Sequence, residues 1–112
     1  MDKKFLKNIP ISQALKLADL VSYQPGQVVS LTFVQNEALS LTLFAFAKGE
    51  GVSTHSAPGD AMVYILDGTA AVTVGDKKIT AGPGQAVVMP ADSPHGLEAV
   101  ESFKMLLILV KK

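Results

Sequence analysis

From residue 28 onward this chain is a succession of short β-favouring runs cut apart by turns rich in glycine and proline. That punctuation limits the fold more than any other feature. Residues 28–34 are rich in β-branched side chains, and Asn36-Glu37-Ala38 reads as a turn. Residues 39–44 alternate apolar and polar at period two, the mark of a half-buried strand. Residues 63–66 lead into Asp67-Gly68, and 71–74 into Gly75-Asp76, dipeptides of the kind that close tight hairpins. Ile79 precedes Gly82-Pro83-Gly84, and residues 86–89 run into Pro90. The last run, 103–110, is apolar on both faces from Met105 onward, which predicts a strand in mid-sheet or one covered by a partner subunit. Strands this short with turns this regular predict an all-β sandwich or barrel.

The first 26 residues follow a different rhythm. Ile11, Ala14, Leu15, Ala18 and Val21 form a helical stripe, predicting a short helix opened by Pro10 or Ser12 and covering one end of the barrel. Tyr23-Gln24-Pro25-Gly26 breaks the chain before the strands begin. The expected organisation is therefore an N-terminal extension over 1–26 and one barrel over 27–112.

Composition removes several function classes. Ten lysines balance ten acidic residues, and no arginine occurs. Arginine's planar fork is the preferred clamp for phosphate and carboxylate, so its absence argues against phosphosugar, nucleotide and nucleic-acid ligands. The paired lysines Lys3-Lys4, Lys77-Lys78 and Lys111-Lys112 read as solvated termini and a hairpin tip. Without cysteine there is no disulfide, zinc–thiolate site or thiol nucleophile. The N-terminus lacks a signal-like apolar stretch, and the longest apolar run, 105–110, is too short to span a membrane. A soluble cytoplasmic protein is expected.

Two histidines occur in the whole chain, each in a glycine- and proline-marked frame. Gly49 lies six residues before His55, and Gly68 closes the segment; Gly84 lies six residues before Pro90, with His95 following. This pair of frames resembles the two motifs of the cupin superfamily, Gly-x5-His-x-His-x3,4-Glu-x6-Gly and Gly-x5-Pro-x-Gly-x2-His-x3-Asn. The resemblance covers roughly residues 28–110 and implies a jelly-roll barrel (a double-stranded β-helix). It also implies a homodimer formed by packing the sheets of two barrels. Asp92 stands where the second motif has glycine, and Ala99 where it ends in asparagine.

Metal-binding cupins hold iron, manganese, nickel or zinc with three histidines and the glutamate. Here His55 and His95 match, whereas Ala57 and Ala61 occupy the other two ligand positions. Two imidazoles with waters would still take one divalent transition ion (zinc, nickel, iron or manganese), at poor affinity and selectivity. A third ligand would have to come from Asp60, Glu98 or Gln35. Strand parity turns Asp60 away from the interior unless Pro58-Gly59 re-aims it, and Asp60 equally suits a turn. Met62, Met89 and Met105 read as core filler, and Tyr64 as an outward-facing side chain.

Three functions follow as expectations. The first is a binding module that takes a small molecule in a barrel pocket around His55, His95 and Asp60, with or without a weakly held metal. The second is a metal-dependent oxygenase, isomerase or lyase using a non-standard third ligand. The third is a structural or regulatory dimer. Nucleic acid and membrane are not expected partners.

Overall fold

In the computed structural model, which describes residues 5–112, nine strands form two facing sheets. They are β1 (Val28–Gln35), β2 (Leu39–Phe46), β3 (Gly51–His55), β4 (Asp60–Asp67), β5 (Ala70–Val74), β6 (Lys77–Ala81), β7 (Ala86–Met89), β8 (His95–Ala99) and β9 (Phe103–Val110). One sheet has the order β1-β2-β9-β4-β7 and the other β3-β8-β5-β6. All the pairings are antiparallel. Two facing antiparallel sheets are the sandwich that the turn punctuation predicts, in the jelly-roll form that the cupin resemblance implies.

The period-two pattern decides which side chains face inward. Along β4 the buried residues are Ala61, Val63 and Ile65, and along β9 they are Phe103 and Met105. Ala70, Val72, Leu97 and Ala99 meet them from the opposite sheet. At one end of this core the rings of Phe46 and Phe103 stack 4.6 Å apart at 6°. Gly68 turns the chain there with φ +76°, a conformation that side chains with a Cβ rarely adopt. A Cβ at that position would also collide with the Ser102 backbone carbonyl.

β9 runs between β2 and β4, and its apolar residues serve two layers: Met105, Leu107 and Leu109 pack in the core between the sheets, and Leu106 packs with the N-terminal segment on the outside. Met62 departs from expectation. It lies on the outer face, 37% exposed, because its inward neighbours Ala61 and Val63 fix the parity of β4. Met89 and Met105 are core residues, as expected, and Tyr64 faces outward.

The expected helix over 10–21 reduces to a single 3-10 turn, Leu17–Leu20. Ser12 has φ +59°, incompatible with a helix opening at that point, and Ile11 is exposed. No side chain caps the turn at Lys16. The segment does not close a barrel end either. Ile9, Leu17, Leu20, Val21 and Tyr23 pack on Phe33, Leu43, Leu31 and Leu106, covering part of the outside of the five-stranded sheet.

A polar latch fastens that strap. The Tyr23 hydroxyl donates to the Asp67 carboxylate. Lys104, in register with Asp67, holds its Nζ 5.0 Å from the Tyr23 ring centroid and donates to the Ala18 carbonyl at 2.6 Å. Burial, then the hydrogen bond and charge of Asp67, push the Tyr23 phenol well above its ordinary value. Lys77 and Lys78 open β6 beside the Gly75-Asp76 turn, exposed as expected of a hairpin tip. Lys3-Lys4 lies outside the described residues.

Candidate functional site

His55 ends β3 and His95 begins β8, and the two are direct register partners across that pair. Partners in an antiparallel pair share a face, which brings the two rings together. The register shifts between Val52 and His55, a bulge that re-aims the end of β3. The ring centroids are 4.5 Å apart with planes at 68°. His95 is 3% exposed, whereas His55 lies at the open edge strand.

Both rings are anchored in the same manner. His55 Nδ1 lies 2.9 Å from the Ser53 carbonyl oxygen, and His95 Nδ1 lies 3.0 Å from that of Ser93. A carbonyl oxygen only accepts, so each Nδ1 carries the proton. In the neutral ring this leaves a lone pair on each Nε2. The site thus presents two acceptors whose tautomers are fixed by the backbone.

These rings border a cavity of about 210 Å³ between the sheets. Phe44, Phe46, Val52 and Leu97 line it, together with Met105, Leu107 and Leu109 of β9. Ala57, Ala61 and Met89 complete the wall. Ala57 and Ala61 contribute only methyl groups to this wall. No charged side chain is in the lining.

The remaining candidate residues lie elsewhere. Asp60, expected in the pocket, is exposed on the outward parity of β4, where its Oδ1 accepts the Ala91 amide at 2.8 Å. With the Asp92 amide donating to the Ala57 carbonyl at 2.8 Å, this bond stitches the two loops at the histidine end of the barrel. Glu98 is exposed on the strand face opposite His95, and Gln35 ends β1 at the sheet margin. No third ligand therefore arises from Asp60, Glu98 or Gln35. Among the described residues, no group of three histidine or acidic side chains is placed to hold a metal ion. The donor set does not fit the four-ligand divalent centre of the metal-binding cupins.

Asp92 has φ +64°, the left-handed region in which Asp is among the more tolerant residues. It thereby supplies the turn that the motif assigns to glycine. Sequence reasoning missed the apolar walls from β2 and β9, although Phe44, Phe46, Leu107 and Leu109 lie on the inward parity of those strands. The detectable signal was that shared parity; which strands flank β9 was not visible.

The model of the Cupin domain family matches residues 42–111. A conserved protein of unknown function from Streptococcus pyogenes superposes with a TM-score of 0.96 at 42% identity, covering 98% of this chain and 96% of its own. A cupin superfamily protein from Desulfitobacterium hafniense has a TM-score of 0.91 at 36% identity, covering 96% and 98%. A Cupin 2 conserved barrel domain protein from Leptotrichia buccalis has a TM-score of 0.83 at 45% identity, covering 87% of this chain and 47% of its own. No curated protein matches.

Proposed function

This chain belongs to the cupin family, and we propose that it is a binding module whose barrel takes a small, uncharged, mainly apolar molecule. The observation that carries this reading is the pair of backbone-anchored imidazoles facing an otherwise apolar cavity. Apolar walls with a few convergent polar groups are the usual make-up of a ligand pocket. A cavity of roughly 150 Å³ already holds benzene, so about 210 Å³ suits one substituted ring or a short branched chain. The two Nε2 acceptors select a ligand that brings a hydrogen-bond donor, a hydroxyl or an N–H. A charged ligand would lose hydration without a countercharge in the lining.

The test is a titration with p-cresol and p-xylene, which differ by one hydroxyl, followed by histidine side-chain NMR. We expect p-cresol to bind about fivefold more tightly, the worth of one hydrogen bond of about 1 kcal/mol. It should shift the Nε2 resonances of both rings, and His95→Phe should erase the preference. Equal affinity for the two probes, or binding of neither, would overturn the reading.

A homodimer belongs to the same proposal. Met62, Tyr64, Val88 and Val110 leave an exposed apolar stripe on the outside of the five-stranded sheet, beyond the reach of the N-terminal strap. Contiguous patches of this kind mark interaction surfaces. Sedimentation should find a dimer that Val88→Glu converts to monomer; a monomeric wild type at high concentration refutes it. A cytoplasmic location is also proposed, consistent with a cysteine-free chain and with no described helix long and apolar enough to cross a membrane. The metal-dependent oxygenase, isomerase or lyase reading called for a third ligand from Asp60, Glu98 or Gln35, and none of these lines the cavity.

A further inference from the structure

We infer that Val52 sets the size of molecule that the pocket admits, held at the mouth by a β-bulge seated on Gly96. The inference rests on the small-molecule reading above, and adds to it the place of entry and the residue that limits it.

Exposure locates the mouth. Most of the cavity lining is buried or partly buried, down to 0% exposed at Phe46 and 1% at Met105. The exposed members are Val52, at 39%, and His55, and both belong to β3. β3 is an edge strand whose partner in the sheet is β8. A molecule entering the cavity therefore passes the Val52 side chain and the His55 ring.

Regular strand geometry would not put these two side chains on one face. They are three positions apart, and alternation sends such residues to opposite sides. The bulge reverses this. Val52 pairs with Leu97 and His55 with His95, so Ser53 and Thr54 stand against the single residue Gly96. Two residues opposing one leave an extra residue in the strand, which turns His55 back to the face of Val52. The same bulge supplies the Ser53 carbonyl oxygen that accepts from His55 Nδ1.

Gly96 is the partner that this bulge requires. It lies between His95 and Leu97, which both line the cavity, so its own position faces the outside of the four-stranded sheet. A Cβ there would lie 3.0 Å from the Val52 carbonyl oxygen and 3.3 Å from the Thr54 amide nitrogen. Both atoms are backbone, so a side chain would push β3 off β8 and carry Val52 and His55 with it. Gly96 is thus a positioning residue that acts on the ligand only through the edge strand. Val52 in turn is β-branched and stiff at χ1, so it does not swing aside for a wide ligand. One ring passes it; two fused rings do not.

The test titrates the full-length protein with p-cresol and 2-naphthol, which share a phenolic hydroxyl and differ by a fused ring. Wild type should prefer p-cresol by about tenfold, the cost of forcing extra carbon atoms into a packed site. Val52→Ala should cut that preference to about threefold or less by tightening 2-naphthol. Val100→Ala, which trims an exposed valine outside the lining, should leave it unchanged. In the ligand-free protein, Gly96→Ala should weaken the nuclear Overhauser effect between the His55 and His95 rings, whose centroids are 4.5 Å apart. An unchanged preference in Val52→Ala, or the same change in Val100→Ala, would overturn the role of Val52. An unchanged Overhauser effect in Gly96→Ala would overturn that of the bulge. Binding of neither phenol would bring down the small-molecule reading and this inference together, whereas p-cresol bound no more tightly than 2-naphthol brings down this inference alone.

Discussion

The two ends of the barrel interior use the same two sheets and differ only in what the inward positions carry. At one end Phe46 and Phe103 stack amid Val63, Ile65, Ala70 and Val72, all fully buried. At the other, Ala57 and Ala61 face two imidazoles across open space. Phe46 marks the boundary, with one neighbour the Phe103 ring and the other the cavity. Strand order and register hold the architecture at both ends, so residues at the hollow end are free to be chosen for chemistry. The closed end is fastened outside as well, because the Tyr23–Asp67–Lys104 latch lies on the outer surface beside Phe103.

If that division of labour is right, the largest effect comes from emptying the closed end. Phe103→Ala should lose about 3–5 kcal/mol by chemical denaturation, since the stacked ring has nowhere to collapse. A loss close to zero would show that the closed end is not the stabilising one. At the hollow end, Ala57→His combined with Ala61→Glu should leave the unfolding free energy within about 1 kcal/mol of wild type, because space is already present. The gain appears in binding instead. The double variant should retain one zinc or nickel ion through dialysis, measured by elemental analysis. Failure to retain either would mean that more than two side chains separates this pocket from a divalent centre.

The smallest effect concerns the latch. Tyr23→Phe should cost on the order of 1 kcal/mol at neutral pH, the worth of a hydrogen bond to a charged acceptor at a half-exposed site. The sign of its pH dependence follows from the raised phenol. Folded Tyr23 keeps its proton above pH 10, whereas the unfolded chain releases it there. Native stability from this residue is therefore complete below about pH 10 and declines as pH rises further. The gap between wild type and Tyr23→Phe should narrow over that alkaline range; a constant gap would remove the latch from the account.

Much of the barrel was legible because its signals are local. Gly68 and Asp92 mark turns that need left-handed backbone, and the alternation of β2 and β4 assigns their faces without knowledge of their neighbours. The histidine pair was legible for the same reason, as two frames of known spacing. The helical stripe over 10–21 misled because spacing alone ignores Ser12, whose backbone leaves the helical region, and because the sheet offered those side chains a surface without requiring a helix. Asp60 was half legible: parity placed it outside, while its bond to Ala91 depends on a loop 31 positions away. Met62 shows that residue type alone does not predict parity.

The placement of β9 has a further consequence, for how the chain acquires its shape during synthesis. It is ninth in chain order yet lies between β2 and β4, which have no pairing with each other. Until the ribosome has released Phe103–Val110, the β1–β2 hairpin and the β4–β7 pair are separate fragments with exposed edges. Closure then waits on contacts such as Leu39 with Val110, remote in sequence and therefore slow to form. The nascent chain passes through a vulnerable interval in which Leu43, Val63 and Ile65, buried in the finished fold, are open to other chains. A premature stop before residue 103 should thus yield aggregate, with no smaller working barrel.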